Sequence, residues 1–360
     1  MENNTSRACL LFLTFLGAIA LLYVGRHVFT PFALAIFIWL IIDAFARWID
    51  RLHDKMPYWL SLIIAVLTVV AGLIGIVFII ADTAASVVDQ APRYEERLDE
   101  IFHWVGGLIG QADLSISSFA ERINLGQKIQ SGLAGLANSI QGVLSNFMLI
   151  AIYVAFLFAA QNSFPKKMDD LFPDTMARAQ AGKVGLRIRH SIEKYLGVQT
   201  VISLMQTVVS YGFMAAVGLE NALFWALVIF ILNYIPIVGG FAAVILPVVF
   251  GLVQFDTLTP IMILAGGMLV AQFVIGNTIQ PKMMGDSMNL SALVVVLSLT
   301  LWGAVWGGVG AFLSAPLTVI IMIILAQFPT TRWIAIMLSA DGQPDLDPEE
   351  KAAKNATPSM

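Results

Sequence analysis

Few side chains in this chain are equipped for proton, metal or group-transfer chemistry, and those that are do not cluster. The histidines His27, His53, His103 and His190 are scattered along it, and Cys9 is the only cysteine. A transition-metal site needs three or four such ligands to converge, and no triad with ligand spacing is present, so neither a metal nor a cofactor is expected. His103 is expected to be solvated or interfacial, and Cys9 to act as a small hydrophobe. No HExxH, phosphate-binding loop or nucleophile elbow is present, so an enzyme is not expected. Proton-coupled ion exchange would need an ionisable group at membrane depth. Asp43, Asp82, Glu193, Glu220 and Asp256 all fall near the ends of apolar runs, and Asp82 qualifies only if its helix continues toward Asp89.

What remains is neutral hydrogen-bonding chemistry. Gln199, Ser203, Gln206 and Ser210 follow one another at spacings of four, three and four, so they share one face of a helix. In an apolar environment such a face either bridges helices or lines a polar path. Asn277 and Gln280 with Pro281, and Gly285 just beyond, close another apolar run. Two long uncharged runs are punctuated by Asn233, Pro236, Gly239, Gly240 and Pro247, and by Gly307, Gly308, Gly310 and Pro316. A helix interrupted at these positions exposes backbone N–H and C=O groups, which can bind a small polar solute without any charged side chain.

The elements that must position these residues are membrane helices. Hydrophobic residues make up 58% of the 360, charged residues 12%, and the mean hydropathy is +0.83, values foreign to a soluble domain. The composition predicts an all-α polytopic membrane protein of about six to eight transmembrane helices, in contact with membrane lipid and with no nucleic-acid footprint. Ala8 to Gly25 and Val28 to Ile42 read as two spans joined by a tight turn, without signal cleavage. Arg47, Arg51 and Lys55 beside Trp48 and Trp59 mark a cytoplasmic interface and place the amino terminus inside.

Five regions follow from the pattern. Residues 1–89 hold spans 1–3, and residues 90–139 read as an amphipathic helical segment on the outer side. Residues 140–194 hold span 4 and a basic cytoplasmic connection, with Asp174 a candidate N-cap. That connection carries Lys166, Lys167, Arg178, Lys183, Arg187, Arg189 and Lys194, a face suited to solvent or lipid headgroups. Residues 195–331 form the transmembrane core, and residues 332–360 a polar cytoplasmic tail expected to be disordered.

The core contains the two long runs, Ala222 to Gln254 and Leu290 to Leu325, neither with a charge. Gly239 and Pro247 are separated as Gly308 and Pro316 are, and an offset of 69 residues superposes the pairs. The runs are expected to be re-entrant hairpins forming a weak inverted repeat about the span from Leu258 to Ile279; the alternative is a pair of broken helices that each cross fully. In the hairpin arrangement the two sets of breaks meet near the midplane. The alternative role for these glycines is to let helices approach closely.

Three stretches in the same order, N-Y-I-P-I-V-G-G over 233–240, G-N-T-I-Q-P-K-M-M-G-D-S-M-N-L-S-A-L over 276–293 and W-G-G-V-G-A-F-L-S-A-P-L over 306–317, resemble the autoinducer-2 exporter family of bacterial permeases. The resemblance spans nearly the whole chain. It implies an inner-membrane homo-oligomer that transports a solute, either exporting a small polar molecule of the autoinducer-2 kind or exchanging sodium or lithium for protons. A non-transporting oligomeric scaffold is the third possibility compatible with the residues. Asp286 stands where the family pattern is basic, so the resemblance carries no anion-contact role onto that loop.

Overall fold

The computed structural model describes residues 13–14, 16–52, 57–109, 147–161, 163–284 and 288–344. Cys9, residues 110–146, which include most of the 90–139 segment expected on the outer side, Gly285 and Asp286, and the tail from residue 345 lie outside the described residues, as does the side chain of His103. The described residues fold as α-helices: α1 (Arg26–Leu52), α2 (Tyr58–Ile109), α3 (Phe147–Gln161), α4 (Phe164–Leu171), α5 (Thr175–Val217), α6 (Ala222–Leu232), α7 (Val238–Gln254), α8 (Leu258–Met284), α9 (Ala292–Ala326) and α10 (Arg332–Leu338). A helical stretch over 16–24 precedes α1 and is set off from it by a turn at Gly25. Segments of α1, α2, α5, α8 and α9 are long and apolar enough to cross a membrane.

Both long uncharged runs fold back on themselves. In the first, α6 and α7 are joined by a turn, and Gln254 at the far end of α7 reaches the start of α6. Its Nε2 donates to the Gly218 carbonyl (2.8 Å) and its Oε1 accepts from the Glu220 N–H (2.7 Å). The mouth of this hairpin A is thereby closed. Gly239 lies against the backbone of the opposite arm, where a Cβ would stand 2.2 Å from the Leu232 carbonyl oxygen.

In the second run, α9 is broken at Gly307, whose φ of 64° and ψ of −142° belong to a region only glycine occupies readily. The Trp302 Nε1–H donates to Thr318 Oγ1 (3.3 Å) although 16 residues separate them, which a straight helix would place about 24 Å apart. Leu290 before this hairpin B packs with Met322 and Ala326 near its end, and α10 caps the mouth through Ser291 N–H to the Leu338 carbonyl (3.1 Å). The counterpart of Gly239 is Gly310, where a Cβ would meet the Trp302 carbonyl oxygen at 1.9 Å; Gly308, matched by the 69-residue offset, has nothing within 4 Å.

The hairpins are inverted relative to each other. α8 starts beside the mouth of A and ends beside the mouth of B, and the tips approach one another, with the Tyr234 and Phe312 rings 5.1 Å apart. α5 is the post common to both. Its Asp174 N-cap accepts from the N–H groups of Met176 and Ala177, both at 3.2 Å, and Gly218 in the left-handed conformation ends it. Between these caps α5 meets the chain at the mouth of B through Arg187 to the Pro344 carbonyl (2.7 Å). It then packs Ile192, Tyr195 and Leu196 with Phe37 and Leu40 of α1 and Trp302 and Leu313 of hairpin B. Farther along, Met214 joins Ile229, Ala243 and Leu264 in the core of hairpin A and α8.

Two regions differ from expectation. The boundary at residue 89 falls inside α2, which continues to Ile109, because Tyr94 and Arg97 anchor the charged stretch to the mouth of hairpin A. The tail expected to be disordered from residue 332 begins with α10 and an ordered strap to Pro344, whose apolar and backbone groups complete the mouth of hairpin B.

Gly310→Ala drives a methyl group into backbone and is expected to cost about 1–3 kcal/mol or more, whereas Gly303→Ala, with open space at its Cβ, is near neutral. Thermal unfolding of the two detergent-purified variants checks this.

Candidate functional site

A cavity of ≈ 1110 Å³ lies between the tip of hairpin A and α8. Its polar lining consists of Gln199, Asn233, Gln272, Asn277, Gln280 and the Tyr residues 195 and 234, and none of the residues lining it is charged. Pro236, Gly240 and Pro281 also border it.

The wall formed by α8 is not a regular α-helix. Ile275–Ile279 form a π-helical turn in which the Gln280 N–H reaches back to the Ile275 carbonyl. Pro281 follows, and a proline cannot donate to the carbonyl one turn earlier. π-turns recur at functional sites because they loosen the backbone ladder and re-aim side chains. The wall formed by hairpin A carries strain of its own. Ile237 has φ 66° and ψ −56°, and the Val238 N–H donates to the Pro236 carbonyl at 2.7 Å, closing a three-residue γ-turn of the rare hand. For a β-branched residue this conformation costs on the order of 1–3 kcal/mol.

The polar face of α5 holds this tip in place. Gln199 Nε2 donates to the Asn233 carbonyl (2.7 Å), Asn233 Nδ2 donates to Ser203 Oγ (3.3 Å), and Thr200 shares a 2.7 Å hydrogen bond with the Tyr234 hydroxyl. Gln206 Nε2 donates to Ser210 Oγ (3.3 Å) one turn along the same face. Gln199, Ser203, Gln206 and Ser210 are all buried. Gln199 and Ser203 therefore bridge α5 to hairpin A, Gln206 and Ser210 pair within α5, and Gln199 alone of the four also lines the cavity.

Residues 10–330 match the family described as AI-2E family transporter. The chain belongs to the AI-2E transporter family. It is 29% identical over 331 residues to the AI-2 transport protein TqsA of Escherichia coli (strain K12), covering 90% of this chain and 94% of that protein. It is 27% identical over 348 residues to a putative transport protein of Haemophilus influenzae, covering 94% and 98%. A sodium-lithium/proton antiporter of Halobacillus andaensis is 23% identical over 330 residues, covering 84% and 90%. As a member of this family the chain is a multi-pass membrane permease, and its architecture of helices and folded-back hairpins accords with that.

Within this AI-2E transporter, the residues singled out from sequence divide sharply. Asn233, Pro236, Gly240, Asn277, Gln280, Pro281 and Gln199 converge on the cavity. Gly239 and Pro247 do not line it; they serve the packing of hairpin A, where Pro247 is fully buried. Gly307, Gly308, Gly310 and Pro316 do not line it either, because hairpin B is packed against α1 and α5 and contributes to this cavity only Val295 on its first arm, with Met288 just ahead of it. The expected meeting of the tips occurs through the rings of Tyr234 and Phe312, not through glycine backbone. Sequence reasoning missed Gln272, Tyr234 and Ile237. Gln272, Gly276 and Gln280 recur every four residues, and this spacing could have grouped Gln272 with the site.

Two networks of charged groups stand apart from the cavity lining. At one, Asp43, with 1% of its side chain exposed, accepts from Tyr58 and Arg189 and pairs with Arg47 (2.8 Å), and Glu193 bridges Arg47 (2.6 Å) and Arg189 (2.7 Å). The Arg189 guanidinium also lies over the Trp39 ring at 5.9 Å. At the other, Glu220 accepts from the Tyr94 hydroxyl (2.7 Å) and pairs with Arg93 (3.3 Å), while Arg97 donates to the Phe255 carbonyl (3.1 Å). Burial, then the hydrogen bond to Glu220 and its charge, hold the Tyr94 phenol above the usual tyrosine range, so it remains a donor.

Asp43→Asn removes the shared carboxylate between two arginines and is expected to cost about 3 kcal/mol, the low end for breaking a buried pair because both arginines are partly exposed. Thermal or denaturant unfolding of the purified variant reads this.

Proposed function

We propose that this protein carries a small, polar, uncharged solute across the bacterial inner membrane through the cavity between hairpin A and α8, without chemical conversion of the solute. One observation carries the proposal: the cavity is lined by five amide side chains and two tyrosines and by no charged residue. Amides and phenols hydrogen-bond a neutral solute, while an ion stripped of water at this depth would need formal charge or many oxygen ligands. The name of the Escherichia coli relative supports autoinducer-2 as the first solute to try. The distribution of Lys and Arg, with Arg47 and Arg51 at one connection and Lys166 and Lys167 at the next, supports cytoplasmic termini. The family resemblance supports a homo-oligomer embedded in lipid.

Sodium or lithium/proton antiport is the second reading, favoured by the name of the Halobacillus relative. It needs a carboxylate free to exchange a proton. Asp43 is held by two arginines and a tyrosine; Asp82 meets the helical condition, since α2 continues through Asp89 to Ile109, but it is exposed and does not line the cavity. Both facts favour the neutral solute.

Efflux of autoinducer-2 and of other small neutral polar solutes from proteoliposomes, with and without a proton or sodium gradient, distinguishes the two. Solute efflux is expected, with Gly240→Leu lowering it at least about tenfold, equivalent to about 1.4 kcal/mol. Cation-dependent proton movement that Asp43→Asn or Asp82→Asn abolishes, with no solute flux, would establish antiport in its place.

A further inference from the structure

Among the described residues, Gln272 is the one amide of the cavity wall whose carbonyl oxygen is both buried and without a partner. Its Oε1 is buried and accepts no hydrogen bond among the described residues. The amide group is seated between two glycines. A Cβ at Gly240 on hairpin A would come within 2.4 Å of Gln272 Nε2, and one at Gly276 within 3.1 Å. Both glycines line the cavity with Gln272. The chain thus leaves room on both sides for an amide whose carbonyl oxygen the described residues leave unpaired. Leaving a buried acceptor unpaired is unfavourable, and a ligand that supplies the missing partner relieves it.

We infer that Gln272 is a solute-binding residue, positioned by Gly240 and Gly276, and that it selects solutes bearing free hydroxyl groups. The inference rests on the cavity being the solute path and names the class of solute it takes. An amide presents an acceptor and a donor side by side, and a hydroxyl group is both donor and acceptor, so it satisfies either end however the amide is turned. Ethers of the same shape offer no donor and leave Oε1 unpaired. A site built to hydrogen-bond a hydroxyl rejects the analogue that lacks it more strongly than an apolar pocket rejects an extra methylene. Asn277 and Gln280, one and two turns along the same helix, offer the same paired chemistry to further hydroxyls of one solute. Gly240 has a defined part: the clash of a methyl group there is with the far end of a flexible side chain, so Gly240→Ala keeps the fold and displaces the amide.

The test uses the full-length protein with Cys9→Ser and a reporter thiol, Val295→Cys, on the cavity wall, reconstituted in liposomes and labelled with a small hydrophilic methanethiosulfonate. Erythritol is the probe and its tetra-O-methyl ether the control. Labelling is expected, slowed by erythritol and not by the ether. The concentration of erythritol giving half protection is expected to rise about tenfold in Gln272→Leu and in Gly240→Ala, the weight of one hydrogen bond. Thermal melting of each variant separates loss of binding from loss of fold. Equal protection in the Gln272→Leu variant, or equal protection by the ether, overturns the role of Gln272 and leaves the cavity as the path. Failure of erythritol to protect a reactive thiol overturns the hydroxylated class. A thiol that no reagent reaches overturns the path itself, and the inference with it.

Discussion

A helix that breaks at membrane depth exposes backbone donors and acceptors that lipid cannot satisfy, and the rest of this structure depends on meeting that constraint. Hairpin A meets it by borrowing from α5. The Gln199 side chain donates to the Asn233 carbonyl, Asn233 donates to Ser203, and Tyr234 reaches Thr200. Hairpin B is held instead by close approach of its own arms at Gly310 and by Trp306, whose indole N–H ties it to the Leu22 carbonyl (3.2 Å) ahead of α1. α5 must therefore be both long and polar along one edge, since it passes the mouth of one hairpin, the tip of the other and the mouth of that other in turn.

The same constraint explains where charge is allowed. Asp43, Arg47, Arg189 and Glu193 neutralise one another in a network that ties α1 to α5, and Tyr58 adds α2. Glu220, Arg93 and Tyr94 do the equivalent at the mouth of hairpin A, where α2 overruns its apolar portion to reach them. Between these ionic groups the cavity is left neutral. Its walls hold the two irregular pieces of backbone in the neighbourhood, the γ-turn at Ile237 and the π-turn of α8, and such irregularities persist only where surrounding contacts over-determine them. Tip, π-turn and unpartnered amide oxygen thus occur together on one surface.

Much of this was legible in sequence because membrane proteins write their constraints locally. An uncharged run too long for one crossing, interrupted by glycine and proline, marks a folded-back hairpin, and a four, three, four spacing of Gln and Ser marks a buried polar edge. The hairpins, their inverted order about α8, the N-cap at Asp174 and the convergence of Asn233, Gly240, Asn277 and Gln280 all follow from such local signals. The match of Gly239 with Gly308 did not hold, since close approach depends on which residue of a turn faces the opposite arm, and that residue is Gly310.

The sequence by itself determined which segments are apolar, where helices must break, which edge of α5 is polar and that the family is one of transporters. The tertiary structure alone decided that the cavity belongs to hairpin A and α8 while hairpin B is packed away against α1 and α5. It alone showed the Gln272 carbonyl oxygen without a partner, its amide seated between Gly240 and Gly276. The physical reason is that periodicity along a chain reports which face of a helix is polar, whereas whether a polar group on that face finds a partner depends on a helix many residues away.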